Sequence, residues 1–416
     1  MNSNKIKTSQ TFNLLEGAVN SQTVPDIVLN SLTLALELKS SDIHIQPEEK
    51  VVNIKFRIDG VLSDIITYDV SLHKSVVSRI KILSNLKIDE TRVPQDGHAN
   101  VMTTDGRPMD LRVSTLPTIK GEKIVMRLVD RSKDIPDLES LGMNPYNLQL
   151  LELALKNPNG VILTSGPTGS GKTTTLYAAL KKLNTGSQNI LTIEDPVEIP
   201  LIGTSQAQTK KEIGFTFASG LRAALRQDPD IIMVGEIRDK ETLDTAIEAS
   251  LTGHLVLSTI HTNSAIDTIS RIQNMGIPNY LISSAVRCVI AQRLIRQVSS
   301  QYVEFKKPPK EIEDFIIGHL KGLPKLALDG VDLNDIKIAH KKPEVSDLDM
   351  YQGRIPIYEI LNFDQDLKDI VSNSGSLKDI STKATQNGMV TLLQSGLIKV
   401  LQGKTTLTEV LRIVNS

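Results

Sequence analysis

The chain has 416 residues, room for two or three domains at about 150 residues each. With 40% apolar side chains, 23% charged ones and a net charge of −1, it can build real cores but offers no basic field for nucleic acid or an anionic membrane. Aromatics at 3% with no Trp argue against a base-stacking platform. The single cysteine, Cys288, excludes an intramolecular disulfide and fits a reducing compartment.

Residues 1–22 are polar, without an apolar signal-peptide stretch, and read as a flexible lead-in. Pro25-Asp26 opens a helix to about Lys39. Its apolar stretch, broken by Asn30, Ser31 and Thr33, falls short of the ~20 residues of a membrane span. Ser41 to Ile45 begins an extended run. Asn53–Ile58 and Val61–Thr67 flank Asp59-Gly60, a hairpin signal. A helical pattern covers Ser71–Asn85. A second hairpin turns at Asp105-Gly106, with Asp110–Ser114 as its outgoing strand, and Lys123–Val129 is a further strand. Residues 23–130 thus read as a compact α+β domain, and 131–142, charged and containing Pro136, as a linker.

From residue 143 the rhythm changes. Gly160–Thr164, Ile190–Ile193, Ile231–Val234 and Leu255–Thr259 are short continuous apolar runs, as expected of parallel strands buried on both faces. They alternate with helices, so 143–297 reads as an α/β core. Tyr280–Leu294 is expected to be helical and to carry Cys288 as core filler rather than as a nucleophile. Residues 298–350 are rich in Lys and Pro and less regular. The stretch 351–416 is expected to be mainly helical, with Thr406-x-x-Glu409 as a capping box.

The chemistry begins at Gly166-Pro167-Thr168-Gly169-Ser170-Gly171-Lys172-Thr173, a full G-x-x-x-x-G-K-[ST] match between a strand and a helix. Its glycines let consecutive backbone N–H groups face phosphates, and the helix N-terminus adds positive potential. Lys172 would reach the β- and γ-phosphates, Thr173 would ligate Mg²⁺, and Thr174 follows on the helix. A merely structural glycine turn would not need that strand–helix setting.

A triphosphate site also needs carboxylates beside this loop, at the carboxyl ends of neighbouring strands. Glu194, followed by Asp195, ends one such strand and is the candidate for orienting the attacking water. Glu236 ends another and is the candidate for the Mg²⁺ shell; the two roles are exchangeable. Taken alone, either could be a solvated strand-end carboxylate. His254 and His261 bracket one strand and lie over ~20 Å apart at ~3.3 Å per residue, so they cannot share a metal. His261 is the candidate γ-phosphate sensor, while His254 reads as structural or as facing a neighbouring subunit. Arg222, Arg226 and Arg238 are candidate phosphate-contacting fingers, with structural ion pairing equally open.

Taken together, these segments resemble the type II secretion and type IV pilus assembly ATPases, the GspE/PilB group. The strings that carry the likeness are Gly166–Tyr177, Thr192-Ile-Glu-Asp-Pro-Val-Glu198, Leu225–Asp239 and Thr252–Thr262. Upstream, Ser41-Asp-Ile-His44, Arg57-Ile-Asp-Gly60, Pro94-Gln-Asp-Gly97 and Asp110–Pro117 match. Gly353–Glu359 and Leu393–Leu397 match downstream. The resemblance implies a RecA-like P-loop NTPase core preceded by a PAS-like α+β domain, with a helical C-terminal subdomain. It implies ATP and Mg²⁺ as cofactors and a cytoplasmic homohexamer, peripheral at the inner face of the cytoplasmic membrane. Nucleotide would bind between the PAS-like and RecA-like domains, with Arg107 and Arg112 approaching the phosphates. Partners would be a polytopic inner-membrane platform protein of the GspF/PilC kind and a cytoplasmic recruiting domain of a membrane partner; no nucleic acid is expected. The assembly branch fits better than the retraction branch. Two departures stand out. Residues 298–350 contain no Cys where most assembly ATPases place a tetracysteine zinc site after the equivalent of Ala291-Gln-Arg-Leu294, so no zinc is expected. Only about 22 residues precede the first expected helix, where many members carry a docking domain. A nucleotide-gated scaffold without turnover, and a conjugation or DNA-translocation ATPase, are the competing functions.

Overall fold

The computed structural model describes residues 9–129, 134–345 and 349–415. The chain divides into two units, residues 1–134 with 345–352, and residues 135–344 with 353–416.

In the first unit, helix α1 (Gln10–Asn20) forms where a flexible lead-in was expected. The Ser9 hydroxyl caps it by accepting from the Thr11 and Phe12 N–H groups. Phe12, Leu15 and Ala18, three residues apart, are buried against α2 (Val24–Glu37) and the sheet beyond. Only three apolar positions carry the stripe, and the packing partner supplies the rest of the stability, so the local pattern is weak.

Six antiparallel strands follow: β1 (Asp42–Pro47), β2 (Val51–Ile58), β3 (Val61–Asp69), β4 (Gln95–Met102), β5 (Pro108–Thr118) and β6 (Gly121–Val129), in the order β3-β2-β1-β6-β5-β4. Asp59 and Gly60 both take positive φ, +49° and +84°, as a two-residue hairpin turn requires. Gly106, at φ +80°, turns the second hairpin. Helix α3 (His73–Leu83) packs on this sheet. Arg107 is ion-paired to Asp105 at 2.5 Å. Arg112 lies on β5, in register between His98 and Arg127.

The second unit is built on a seven-stranded sheet. Its strands are β7 (Gly160–Ser165), β8 (Ile190–Glu194), β9 (Ser205–Gln208), β10 (Ile231–Val234), β11 (Leu255–Ile260), β12 (Val286–Val298) and β15 (Tyr351–Asn362), in the order β15-β12-β7-β11-β10-β8-β9. From β12 to β9 every neighbouring pair is parallel. Alternate residues feed opposite cores: Val161, Leu163, Ile232, Val234 and Val256 on one face, Ile162, Ile231, Met233 and Leu257 on the other. This two-sided burial is why these strands read as unbroken apolar runs.

Tyr280–Leu294 is not one helix. A short helix (Asn279–Ala285) gives way to β12, which buries Cys288 in the sheet between β15 and β7. Full burial pushes the Cys288 thiol up to about 12, so it is an inert core group.

Residues 298–345 hold a two-stranded antiparallel ladder, β13 (Val303–Lys306) with β14 (Ile338–Lys341), and a helix, Lys310–Leu320. Ile316, Leu320, Ala327 and Ile338 join the main core, so apolar packing anchors this module. The 351–416 segment opens with β15, which closes one edge of the sheet, before four helices: Gln365–Ser372, Leu377–Gln386, Leu392–Leu401 and Leu407–Val414. The Thr406 hydroxyl caps the last of them, but the expected reciprocal bond from Glu409 is replaced. The buried Glu409 carboxylate instead holds Arg296 and Arg412, each at 2.7 Å. Among the described residues, no helix is long and apolar enough to cross a membrane.

Candidate nucleotide site

The phosphate-loop motif leaves the carboxyl end of β7, in the middle of the sheet, and enters a helix at Lys172–Leu183. Gly166, Gly169 and Gly171 take φ of +143°, +78° and +89°, which a side chain would strain. Space forbids one as well. A Cβ at Gly166 would lie 2.4 Å from the Gln292 carbonyl oxygen, and one at Gly171 would lie 2.8 Å from Gln292 Nε2. Gln292 is fixed in turn by accepting from the Thr175 hydroxyl at 2.8 Å. Thr168, Gly169, Thr173 and Thr174 are exposed, while Ser170 is buried. The Ser165 and Ser170 hydroxyls are buried with no hydrogen-bond partner, a set of polar atoms suited to an oxyanion or to water.

Lys172 folds back over the loop, donating to the Gly166 and Pro167 carbonyl oxygens at 2.7 and 3.0 Å. Burial lowers its pKa to about 8; Glu236 pulls it up and Arg293 pushes it further down. An ammonium held by two neutral carbonyls in a drying environment is primed for an anionic partner. Gly166 and Pro167 face His261, Thr262, Asn263 and Asp267 across one cleft.

Glu236 is set by the neighbouring strand. The Ser258 and Thr259 hydroxyls donate to the Val234 and Gly235 carbonyl oxygens at 2.7 Å each. Gly235 N–H donates to the Ile193 oxygen at 2.8 Å. His261 Nε2 lies 2.9 Å from Glu236 Oε1, and Arg238 donates to Oε2 at 2.7 Å. Four of the residues singled out in the sequence, Lys172, Glu236, Arg238 and His261, therefore share one electrostatic neighbourhood.

Glu194 is held differently. Its carboxylate is 3% exposed and accepts from the Tyr177 hydroxyl, from Thr192 Oγ1 at 2.6 Å and from Gln206 Nε2 at 3.1 Å. A carboxylate offers about four lone-pair sites, so one remains. Asp195 pairs with Lys211 at 2.8 Å. Arg222 is committed to Glu241 at 2.6 Å, and Arg226 donates to the Arg222 carbonyl oxygen. His254 Nδ1 lies 2.9 Å from the Ala249 carbonyl oxygen, a local structural bond. Arg107 and Arg112 belong to the other unit.

Three participants escape the sequence patterns. Gln292 and Arg293 enter the site because β12 is a strand beside β7; read as helix, the segment gave no reason to place them there. Tyr177 sits inside the matched phosphate-loop string, but only the fold brings its hydroxyl to Glu194.

A glycine loop between a central parallel strand and a helix, with a lysine latch and two strand-end carboxylates, defines a P-loop NTPase of RecA-like fold. Residues 18–412 match the family described as "Type II/IV secretion system protein", and the chain belongs to that family of ATPases. It is 42% identical over 412 residues to the type IV pilus assembly ATPase PilB of Myxococcus xanthus, covering 98% of this chain and 71% of the relative. It is 43% identical over 380 residues to the type II secretion system protein E of Xanthomonas campestris, covering 91% of this chain and 65% of the relative. The crystal structure of the pilus retraction motor PilT with bound ADP is 26% identical, with a TM-score of 0.60 over 92% of this chain and 96% of that one.

Proposed function

We propose that this chain hydrolyses ATP with Mg²⁺ to drive assembly of a type IV pilus or a type II secretion pseudopilus. In this reading it works as a homohexamer at the cytoplasmic face of the inner membrane, against a polytopic platform protein and a cytoplasmic recruiting domain of a membrane partner. The observation that carries the reading is the grouping of Glu236, His261 and Arg238 with Lys172 at the mouth of the phosphate loop, in a chain whose relatives are named for both machines.

The glycine backbone and Lys172 would take the β- and γ-phosphates, Lys172 exchanging its two carbonyl acceptors for phosphate oxygens. Thr173 and Glu236 would hold Mg²⁺, which would supply positive charge against the negative charge that develops on the phosphates. Glu236 suits that place because its present partners, His261 and Arg238, are exposed side chains that can move away. His261 and Arg238, released from Glu236, would then meet the γ-phosphate. Glu194 would orient the attacking water through its one remaining lone pair, its direction set by Tyr177, Thr192 and Gln206. Arg107 and Arg112 are proposed as phosphate contacts, with Arg222 and Arg226 as reserve cations that would first have to leave their present partners.

The test is Mg²⁺-dependent ATP hydrolysis against protein concentration, with Lys172→Ala as control, followed by pilus or secretion assays in cells. Turnover that rises with assembly, and disappears with the pili or secretion in the variant, supports a ring motor. Tight ATP binding without turnover in any assembled state points to a scaffold, and salt-dependent DNA binding points to a DNA-translocating machine; either result overturns the proposal.

A further inference from the structure

Glu359 lies far along the chain from the phosphate loop, yet it is tied to the site. It sits on β15 and is 5% exposed. One carboxylate oxygen accepts the Ala265 N–H at 2.8 Å, and the other accepts the Leu392 N–H at 3.2 Å. Ala265 is the first residue of the helix Ala265–Asn274, and Leu392 is the first residue of Leu392–Leu401. One buried carboxylate thus satisfies the orphan N–H groups of two helices at their positive ends.

The first of these helices continues from the loop 261–264, which carries His261 and lines the cleft facing the phosphate loop. That loop is held again from the sheet. Arg293 Nη2 donates to the Asn263 carbonyl and side-chain oxygens at 3.3 and 3.1 Å. Arg293 directly follows Gln292, whose carbonyl oxygen abuts Gly166. Arg293 and Glu359 are near enough to favour each other's charged forms, against the burial that disfavours both. A buried carboxylate is costly to keep, and the two side-chain hydrogen bonds of Glu359 join the helix that follows the phosphate-side loop to a C-terminal helix.

We propose that Glu359 is a positioning residue that couples the His261 loop to the C-terminal helix Leu392–Leu401, so that occupancy of the γ-phosphate position is relayed to the C-terminal helices. This rests on the ATPase reading above. The mechanics are simple. A shift of residues 261–264 moves the N-terminus of the Ala265 helix, and a carboxylate shared between two helix ends cannot follow one without disturbing the other.

The experiment uses the full chain and the near-isosteric Glu359→Gln, which keeps one acceptor oxygen and turns an N–H₂ toward the second amide. Hydrogen exchange at residues 262–268 and 391–396 is measured with Mg²⁺-ADP and with Mg²⁺-ATPγS, alongside steady-state kinetics. In the wild type, ATPγS slows exchange in both segments more than ADP does. In Glu359→Gln the first segment still responds and the second does not, and kcat falls about tenfold while KM for ATP stays within about twofold. Glu359→Ala, lacking both acceptors, gives the larger loss; should it fail to fold, Glu359→Gln decides alone. Unchanged coupling of the two segments, a wild-type response confined to 262–268, or a variant that loses nucleotide binding and turnover together would each overturn the proposal. Because the exchange readout needs no turnover, a chain that binds but does not hydrolyse ATP would sink the motor reading while still testing this coupling.

Discussion

Glu194 and Glu236 end two hydrogen-bonded parallel strands, in register neighbours one residue apart from equivalent, yet the fold treats them in opposite ways. Glu194 is sealed by neutral donors: a tyrosine, a threonine and a glutamine. Glu236 is only partly buried and is held by a histidine and an arginine that are themselves exposed. Neutral donors fix a carboxylate's direction while leaving its charge to act elsewhere. The Arg238 guanidinium offsets the Glu236 charge, and exposed partners leave readily when a divalent cation arrives, because ion pairs at the surface are worth only about 0–1 kcal/mol. The difference is what the proposed roles need: a directing group in Glu194 and an exchanging one in Glu236.

Substitutions can break or sharpen that contrast. The largest effect is expected at Lys172→Ala, which removes the proposed phosphate anchor. Turnover should fall on the order of a thousandfold with the thermal unfolding midpoint little changed. Glu236→Gln should cut kcat by about a hundredfold and shift the Mg²⁺ concentration for half-maximal rate upward. Glu194→Gln should cut kcat to a similar order but leave the Mg²⁺ midpoint in place; a shift there would exchange the two roles. Tyr177→Phe strips one donor from the buried Glu194 carboxylate and should destabilise the fold by about 1–3 kcal/mol by denaturant titration. Smallest is Arg238→Ala, expected to change stability by less than about 1 kcal/mol; its imprint should appear as a few-fold rise in KM for ATP.

Much of this site was legible because its signals are local. The phosphate loop announces itself through glycine spacing, and Glu236 through a four-residue apolar strand whose both-sided burial leaves no polar alternation. What stayed hidden depends on partners distant in sequence. In Val286–Val298, arginine and glutamine at 287, 292, 293, 296 and 297 break the apolar run and invite a helical reading. Sheet neighbours on either side make it a strand, and only then do Gln292 and Arg293 meet the loop. Helix α1 was missed because three apolar residues suffice once α2 lies beneath them. Thr406-x-x-Glu409 looked like a self-contained cap, but Arg296, 113 positions away, claims the glutamate. Arg222 shows the reverse: its proximity in sequence to Glu236 suggested a finger, and Glu241 holds it in an ion pair.

The most direct test is the Mg²⁺ dependence of ATP hydrolysis in the wild type, Glu194→Gln and Glu236→Gln, measured side by side on assembled protein. The account predicts that the wild type turns over, that both variants are slow, and that only Glu236→Gln needs more Mg²⁺. Full activity in Glu236→Gln at the wild-type Mg²⁺ midpoint would contradict it.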